Sequence, residues 1–208
     1  MERGAAAYLP ERLTLKTLRE AVQECRGCEL WRRASQAVLG EGLKRSRVVL
    51  VGEQPGDQED RQGRPFVGPA GRLLDRALAD AGIERSEGYV TNVVKHFKWS
   101  ETRDKRRIHA KPSANEVRAC RPWFEAELRV VDPEAVVALG ATAAQALFGS
   151  GFKLTRQRGE IFASDWAPLS TATVHPSSVL RQPDDDARHR AYEDFVRDLA
   201  SLARALGD

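Results

Sequence analysis

The sequence predicts an α/β protein, a parallel sheet with helices packed on both faces. Two observations carry this. Four short apolar runs, each ending at a glycine, a lysine or a histidine, fit buried parallel strands. Between them stand segments with helical periodicity or capping signals, so strands and helices alternate along the chain. The length agrees: 208 residues suit a single domain spanning residues 1–208, large enough to bury about 70% of its unfolded surface without staples.

In chain order, Leu13 to Cys25 reads as an amphipathic helix with Leu15, Leu18 and Val22 on one face. Arg47 to Val51 is the first strand, and Gly52-Glu-Gln-Pro-Gly56 the tight loop after it. Gly63-Arg-Pro-Phe-Val-Gly68 is a second Gly/Pro-rich loop, and Pro69 to Gly82 a helix with proline at its start and glycine at its end. Tyr89 to Val94 is the second strand, followed by a basic loop. Ser113, with Glu116 three residues on, opens a helix running to about Val130. Ala135 to Leu139 is the third strand, and the alanine-rich stretch from Gly140 to Leu147 a short helix. Thr171 to Val174 is the fourth strand, His175-Pro-Ser-Ser178 its loop, and Arg188 to Leu206 a closing helix.

Composition narrows the class. Hydrophobic residues at 41% and charged residues at 30% are ordinary for a soluble globular chain. No apolar run approaches the ~18 residues of a membrane span. Met1-Glu2-Arg3-Gly4 carries no apolar signal core, and three cysteines are an odd count for a disulfide framework. Both point to a reducing cytoplasm and away from membranes. Net charge is only +3, but Lys95 to Lys111 holds seven basic residues against Glu101 and Asp104. A local basic segment on a near-neutral body suits a polyanion held at one place, or is simply a solvated loop.

Ligands of parallel sheets bind beyond the carboxyl ends of the strands. Three segments rich in reactive side chains begin there, Gly52–Gly56, Asn92–His109 and His175–Arg181, and should converge on one cleft. The glycines let backbone approach a ligand closely. Phe66 lies in a Gly/Pro loop, where stacking on a planar base gives an aromatic more reason to stand than core packing does. Asn92 interrupts an apolar strand; its amide either reads a pyrimidine edge or makes a structural hydrogen bond. Cys25-x2-Cys28 follows a helix rather than a strand, which favours a metal half-site over a redox pair. With Cys120 that makes three soft ligands, and the fourth must be His, Asp or Glu. His96, just past a strand end, is a candidate; the alternative reading packs Cys120 in its helix as a small apolar residue.

Five motifs taken together carry a resemblance: Gly52-Glu-Gln-Pro-Gly-Asp57, Gly63-Arg-Pro-Phe-Val-Gly68, Thr91-Asn-Val-Val-Lys95, Cys120-Arg-Pro-Trp123 and His175-Pro-Ser-Ser-Val-Leu-Arg181. In this order they resemble the uracil-DNA glycosylase superfamily, in particular its iron–sulfur family 4 branch. Two features depart from that branch. His96 stands where it has a cysteine, and Lys105-Arg-Arg-Ile-His109 is an insertion. Both are similar to the UdgX type, glycosylases that become covalently joined to uracil-containing DNA.

The resemblance implies a three-layer α/β/α sandwich around a four-stranded parallel sheet. It implies a [4Fe-4S] cluster on Cys25, Cys28, His96 and Cys120. It makes Glu53 the catalytic carboxylate and His109 the crosslinking nucleophile, acting once per molecule. Gly52, Gln54, Asp57, Phe66, Asn92 and His175 would form the uracil pocket. Lys105, Arg106 and Arg107 would hold phosphates, with Leu180 and Arg181 entering the minor groove. The implied partner is uracil-containing DNA, single- or double-stranded, bound by a monomer that releases free uracil. The rival expectations are a multiple-turnover glycosylase and a non-enzymatic nucleic-acid module with zinc on the same ligands.

Overall fold

The computed structural model describes residues 4–207. Helix α1 (Leu15–Ala21) is capped by Thr14, whose hydroxyl accepts the Thr17 N–H while Thr17 Oγ1 accepts the Thr14 N–H. Strand β1 (Val48–Gly52) leads to α2 (Asp57–Gln62) and α3 (Pro69–Asp80). Strand β2 (Gly88–Asn92) is followed by β3 (Trp99–Glu101) and β4 (Arg107–His109). Then come α4 (Ala114–Val131), β5 (Ala135–Leu139), α5 (Ala141–Phe148) and α6 (Leu154–Gln157). Strand β6 (Leu169–Thr173), α7 (Pro176–Leu180) and α8 (Asp185–Gly207) complete the chain.

The four apolar strands form one parallel sheet in the order β2-β1-β5-β6. Alternation along each strand sends successive side chains to opposite faces. Val49, Val51, Tyr89 and Val136 meet α1 and α4 through Leu18, Trp123, Phe124 and Leu128. Leu50, Val90, Val137 and Leu139 meet α3 and α8 through Leu74, Leu78, Phe195 and Leu199. The expected layers, strand number and parallel pairing are therefore present. No helix among the described residues is long and apolar enough to cross a membrane.

Three segments differ from expectation. The basic segment is a two-stranded hairpin, with Trp99 opposite His109 and Glu101 opposite Arg107. Lys105 makes its turn in the left-handed region at φ 58. Residues 57–62, given no element from the sequence, are helical: α2 is entirely polar, and its buried residues, Glu59 and Asp60, are acidic, so hydrophobic periodicity gives no signal. The residues after His175 form α7 rather than loop, with His175 as its cap.

At the centre of the α4 face lies a buried polar network. Glu127 accepts from the Gly40 N–H at 2.6 Å, Tyr89 Oη at 2.8 Å and Thr91 Oγ1 at 3.0 Å, and forms an ion pair with Lys95. The Lys95 ammonium also donates to Thr91 Oγ1 and the Asn92 carbonyl. Burial and the neighbouring Glu127 carboxylate raise the Tyr89 phenol, keeping it a donor. Every partner of this charge pair is satisfied, which a buried pair requires. It locks the carboxyl end of β2 onto α4.

Candidate active site

The chain leaves β1 toward β2 on one side, whereas β5 and β6 extend the sheet on the other. The crevice at such a switch point is the expected ligand site. A cavity of about 640 Å³ lies there, within the range of small-molecule sites. Glu53, Gln54 and Gly56 line it from β1, Asn92 from β2, Gly140 and Thr142 from β5, and His175, Ser177 and Arg181 from β6. Phe66, His109 and Lys111 also line it.

Gly52 is the floor. A Cβ there would stand 2.3 Å from Asn92 Oδ1 and 2.9 Å from Phe66 Cζ. Only glycine lets both side chains close over the strand end. The register places Gly52 directly beside Asn92. Phe66 adopts φ 55, a left-handed conformation that costs a non-glycine residue about 1–3 kcal/mol. Gly71 makes room for it, since a Cβ at Gly71 would overlap the Phe66 carbonyl oxygen at 1.5 Å. The Phe66 ring stacks toward His175, with centroids 6.1 Å apart and planes inclined by 28°.

Asn92 is 3% exposed, and its side chain lines the cavity. An amide there offers a donor and an acceptor to whatever the cavity holds. His175 Nδ1 accepts the Ser177 N–H at 3.2 Å and lies 2.8 Å from Ser177 Oγ. That assigns the proton to Nε2, leaving Nε2–H as the free donor. Burial lowers the His175 pKa to about 4, helped by Arg181 and His109, so the ring is neutral at pH 7.

His109 Nε2 lies 3.4 Å from Glu53 Oε1, and the His109 side chain is half-exposed. Gln54 fixes this approach. Its Nε2 donates to the Lys98 and Ala110 carbonyls, both at 3.1 Å, and its Oε1 accepts the Lys98 N–H at 3.0 Å. Gln54 lines the cavity, and its amide is engaged in holding both feet of the hairpin.

Two expected positions are corrected. Asp57 does not line the cavity. Burial raises its pKa, but hydrogen bonds from Arg61 and Arg107 outweigh this and hold the carboxyl below the usual range. Arg107 is not a free phosphate ligand: its side chain is 14% exposed, and its guanidinium is clamped by Asp57 at 2.5 Å and Asp60 at 2.7 Å. Two carboxylates already neutralise it, so it anchors the hairpin to α2. Lys105 and Arg106 are exposed at the turn, and Leu180 and Arg181 are exposed at the end of α7.

Residues 39–200 match the family model for the uracil DNA glycosylase superfamily. The chain belongs to that superfamily. It is similar to the type-4 uracil-DNA glycosylase of Thermotoga maritima, 36% identical over 193 residues, covering 91% of this chain and 95% of the relative. It is also similar to the type-4 enzyme of Sulfurisphaera tokodaii, 34% identical over 197 residues, covering 90% and 85%. Among solved structures, Pedobacter heparinus SMUG2 shares the fold with a TM-score of 0.52 at 11% identity, over 78% of this chain and 76% of that one.

The superfamily member described here also buries three thiols together. Cys25, Cys28 and Cys120 are all buried and in no disulfide. Trp123 Nε1–H donates to Cys25 Sγ, and the Lys95 N–H to Cys120 Sγ, each at 3.2 Å. Burial pushes the Cys120 thiol up to about 12; Lys95 opposes this, while Cys28 and Cys25 add to it. His96 is also buried, its pKa lowered to about 4 by burial and by Arg26. Among the described residues, no three His, Cys, Asp or Glu side chains close around a single metal ion.

Sequence reasoning passed over several residues that shape this superfamily site. Glu59 accepts the N–H groups of Gly56 at 3.1 Å and Gly68 at 2.9 Å, joining the two Gly/Pro loops. Its signal was available, a carboxylate three residues after a capping glycine. Thr142 reaches the cavity from the first turn of α5 and carried no signal of its own.

Proposed function

We propose that this chain, as one domain across residues 1–208, is a uracil-DNA glycosylase. It excises uracil and then bonds through His109 to C1′ of the emptied deoxyribose. The carrying observation is that Glu53 and His109 stand together on the wall of the cavity that Asn92, Phe66 and His175 also line. Type-4 uracil-DNA glycosylases at 34–36% identity support the excision step.

Uracil enters the cavity extruded from its strand, which is least costly where the DNA is single-stranded. Phe66 supplies a stacking face and the Asn92 amide hydrogen-bonds the pyrimidine edge. As the C1′–N1 bond breaks, its electron pair leaves with the base. The His175 Nε2–H donates to the developing negative charge on O2. The uracil anion then takes a proton from water. The Glu53 carboxylate faces the cationic sugar.

A neutral imidazole nitrogen of His109 donates its lone pair to C1′. Tethering gives it a high effective concentration relative to water. Bond formation leaves an imidazolium, which Glu53 at 3.4 Å stabilises until the proton on the other nitrogen passes to solvent. The bond to C1′ ends the reaction at one turnover. In a denaturing gel, protein and uracil-containing oligonucleotide should migrate together, and His109→Ala should abolish that band. A band persisting in the variant would place the nucleophile elsewhere, and free uracil in excess over protein would favour ordinary turnover.

We assign the buried sulfur pocket to a [4Fe-4S] cluster on Cys25, Cys28, His96 and Cys120. Three thiols and a neutral imidazole, shielded from water with N–H donors on two sulfurs, suit it chemically. Zinc would need its ligands gathered on one ion about 2.0–2.3 Å away, whereas a cluster takes one ligand per iron. When bound, the cluster would cross-link the segment after α1, the end of β2 and α4. His96→Ala should lower iron content; full iron content in that variant would remove His96 from the ligand set.

A further inference from the structure

A second depression, about 550 Å³, lies between α3 and α8 on the far side of α7 from the uracil cavity. Leu180 and Arg181 are consecutive, yet Leu180 lines this groove while Arg181 lines the cavity. The end of α7 is therefore a ridge with a depression on either side. Leu180 is one of few large apolar side chains exposed in the described residues, at 37%.

The groove carries three arginines, Arg72, Arg76 and Arg188. Arg72 and Arg76 stand one turn apart on the exposed face of α3. Arg72 makes no ion pair among the described residues. The Arg76 guanidinium carbon stands 4.2 Å from the centroid of the Tyr192 ring and the side chain hydrogen-bonds Tyr192, whose hydroxyl donates to Asp80 at 2.5 Å. Arg188 is different: it pairs with Asp185 within its own helix. The unpaired Arg72 guanidinium, with Arg76 over an aromatic ring and an exposed leucine beside them, forms a surface for a chain of alternating phosphates and flat bases.

We propose that this groove holds the DNA strand as it leaves the extruded uracil. Its phosphates lie on Arg72 and Arg76, and its neighbouring nucleotide lies against Leu180 and Tyr192. The proposal rests on the reading of the first cavity as a uracil site. A strand with one base seated there must cross the Leu180 ridge on one side, and the groove is what it meets. The contact is one-sided: it serves nucleotides on either the 5′ or the 3′ side of uracil, not both.

The test uses the full chain and fluorescence anisotropy. The probes are single-stranded oligonucleotides carrying a non-cleavable deoxyuridine analogue, extended on the 5′ side only or on the 3′ side only. Losing two phosphate contacts should reduce the slope of log affinity against log salt by about 1.4, at roughly 0.7 per contact on single strands. The Arg72→Ala/Arg76→Ala variant should show that reduction, with about tenfold weaker binding at low salt, for one of the two extensions. The Arg12→Ala/Arg129→Ala variant, equal in charge and away from the groove, should not. An unchanged slope, an equal loss on both extensions, or the same loss in the control would overturn the proposal. Because the analogue is not cleaved, the readout does not depend on excision. Failure of the wild type to prefer the deoxyuridine analogue over thymidine would instead refute the uracil reading and leave the groove result standing.

Discussion

Replacing Gly52 by alanine isolates the pocket from the fold. The added methyl would sit 2.3 Å from Asn92 Oδ1 and 2.9 Å from Phe66 Cζ, where ordinary contact begins at 3.4 Å. Asn92 Oδ1 must therefore retreat by about 1 Å and the Phe66 ring by about half that. A misplacement of about 1 Å at a reacting centre costs on the order of 100-fold in rate. Gly52 sits in a regular strand paired with Asn92, so alanine is tolerated by the backbone and the sheet persists. Single-turnover uracil release should fall about 100-fold while the thermal unfolding midpoint stays close to wild type. Adding Asn92→Ala to Gly52→Ala should cost little more, because both changes disable one interaction. A wild-type excision rate in Gly52→Ala would refute the reasoning, since it would mean that neither Asn92 nor Phe66 needs its observed place.

Two further outcomes follow from the buried groups. Glu127→Ala leaves the Lys95 ammonium, the Tyr89 and Thr91 hydroxyls and the Gly40 N–H without their acceptor; it should destabilise by about 3–5 kcal/mol, measured by urea unfolding. His175 titrates near pH 4 in the folded protein but near 6.5 when unfolded. Above pH 6.5 both states hold it neutral and it has no effect. As pH falls from 6.5 to 4 only the unfolded chain gains the proton, so stability drops by about 3 kcal/mol across that window. His175→Gln should remove this part of the acid destabilisation, seen as a flatter curve of stability against pH between 4 and 6.5.

Much of the site was legible because its chemistry is carried by local motifs at strand ends. Four apolar runs fix where the strands lie, and every strand of a parallel sheet points its carboxyl end the same way. Glu53, Asn92 and His175 follow from that alone, as does the cap of α4 at Ser113. What was not legible depends on pairs distant in sequence. Arg107 looks like any other cation of the basic segment, and only the docking of the hairpin on α2 brings it to Asp57 and Asp60. Gln54 and Asp57 sit in one motif, yet one faces the hairpin feet and the other leaves the cavity.

The sequence by itself determined the α/β class, the parallel strands and the cleft on which three reactive segments converge, because hydrophobic period and strand direction are local properties. Tertiary structure decided which charges are free and which are neutralised, and which nitrogen of His175 carries its proton. It also decided that Asn92 and His175 line one cavity with Glu53 and His109. Those outcomes depend on which groups come within hydrogen-bond reach after the chain has folded, and no spacing along the chain encodes such distances.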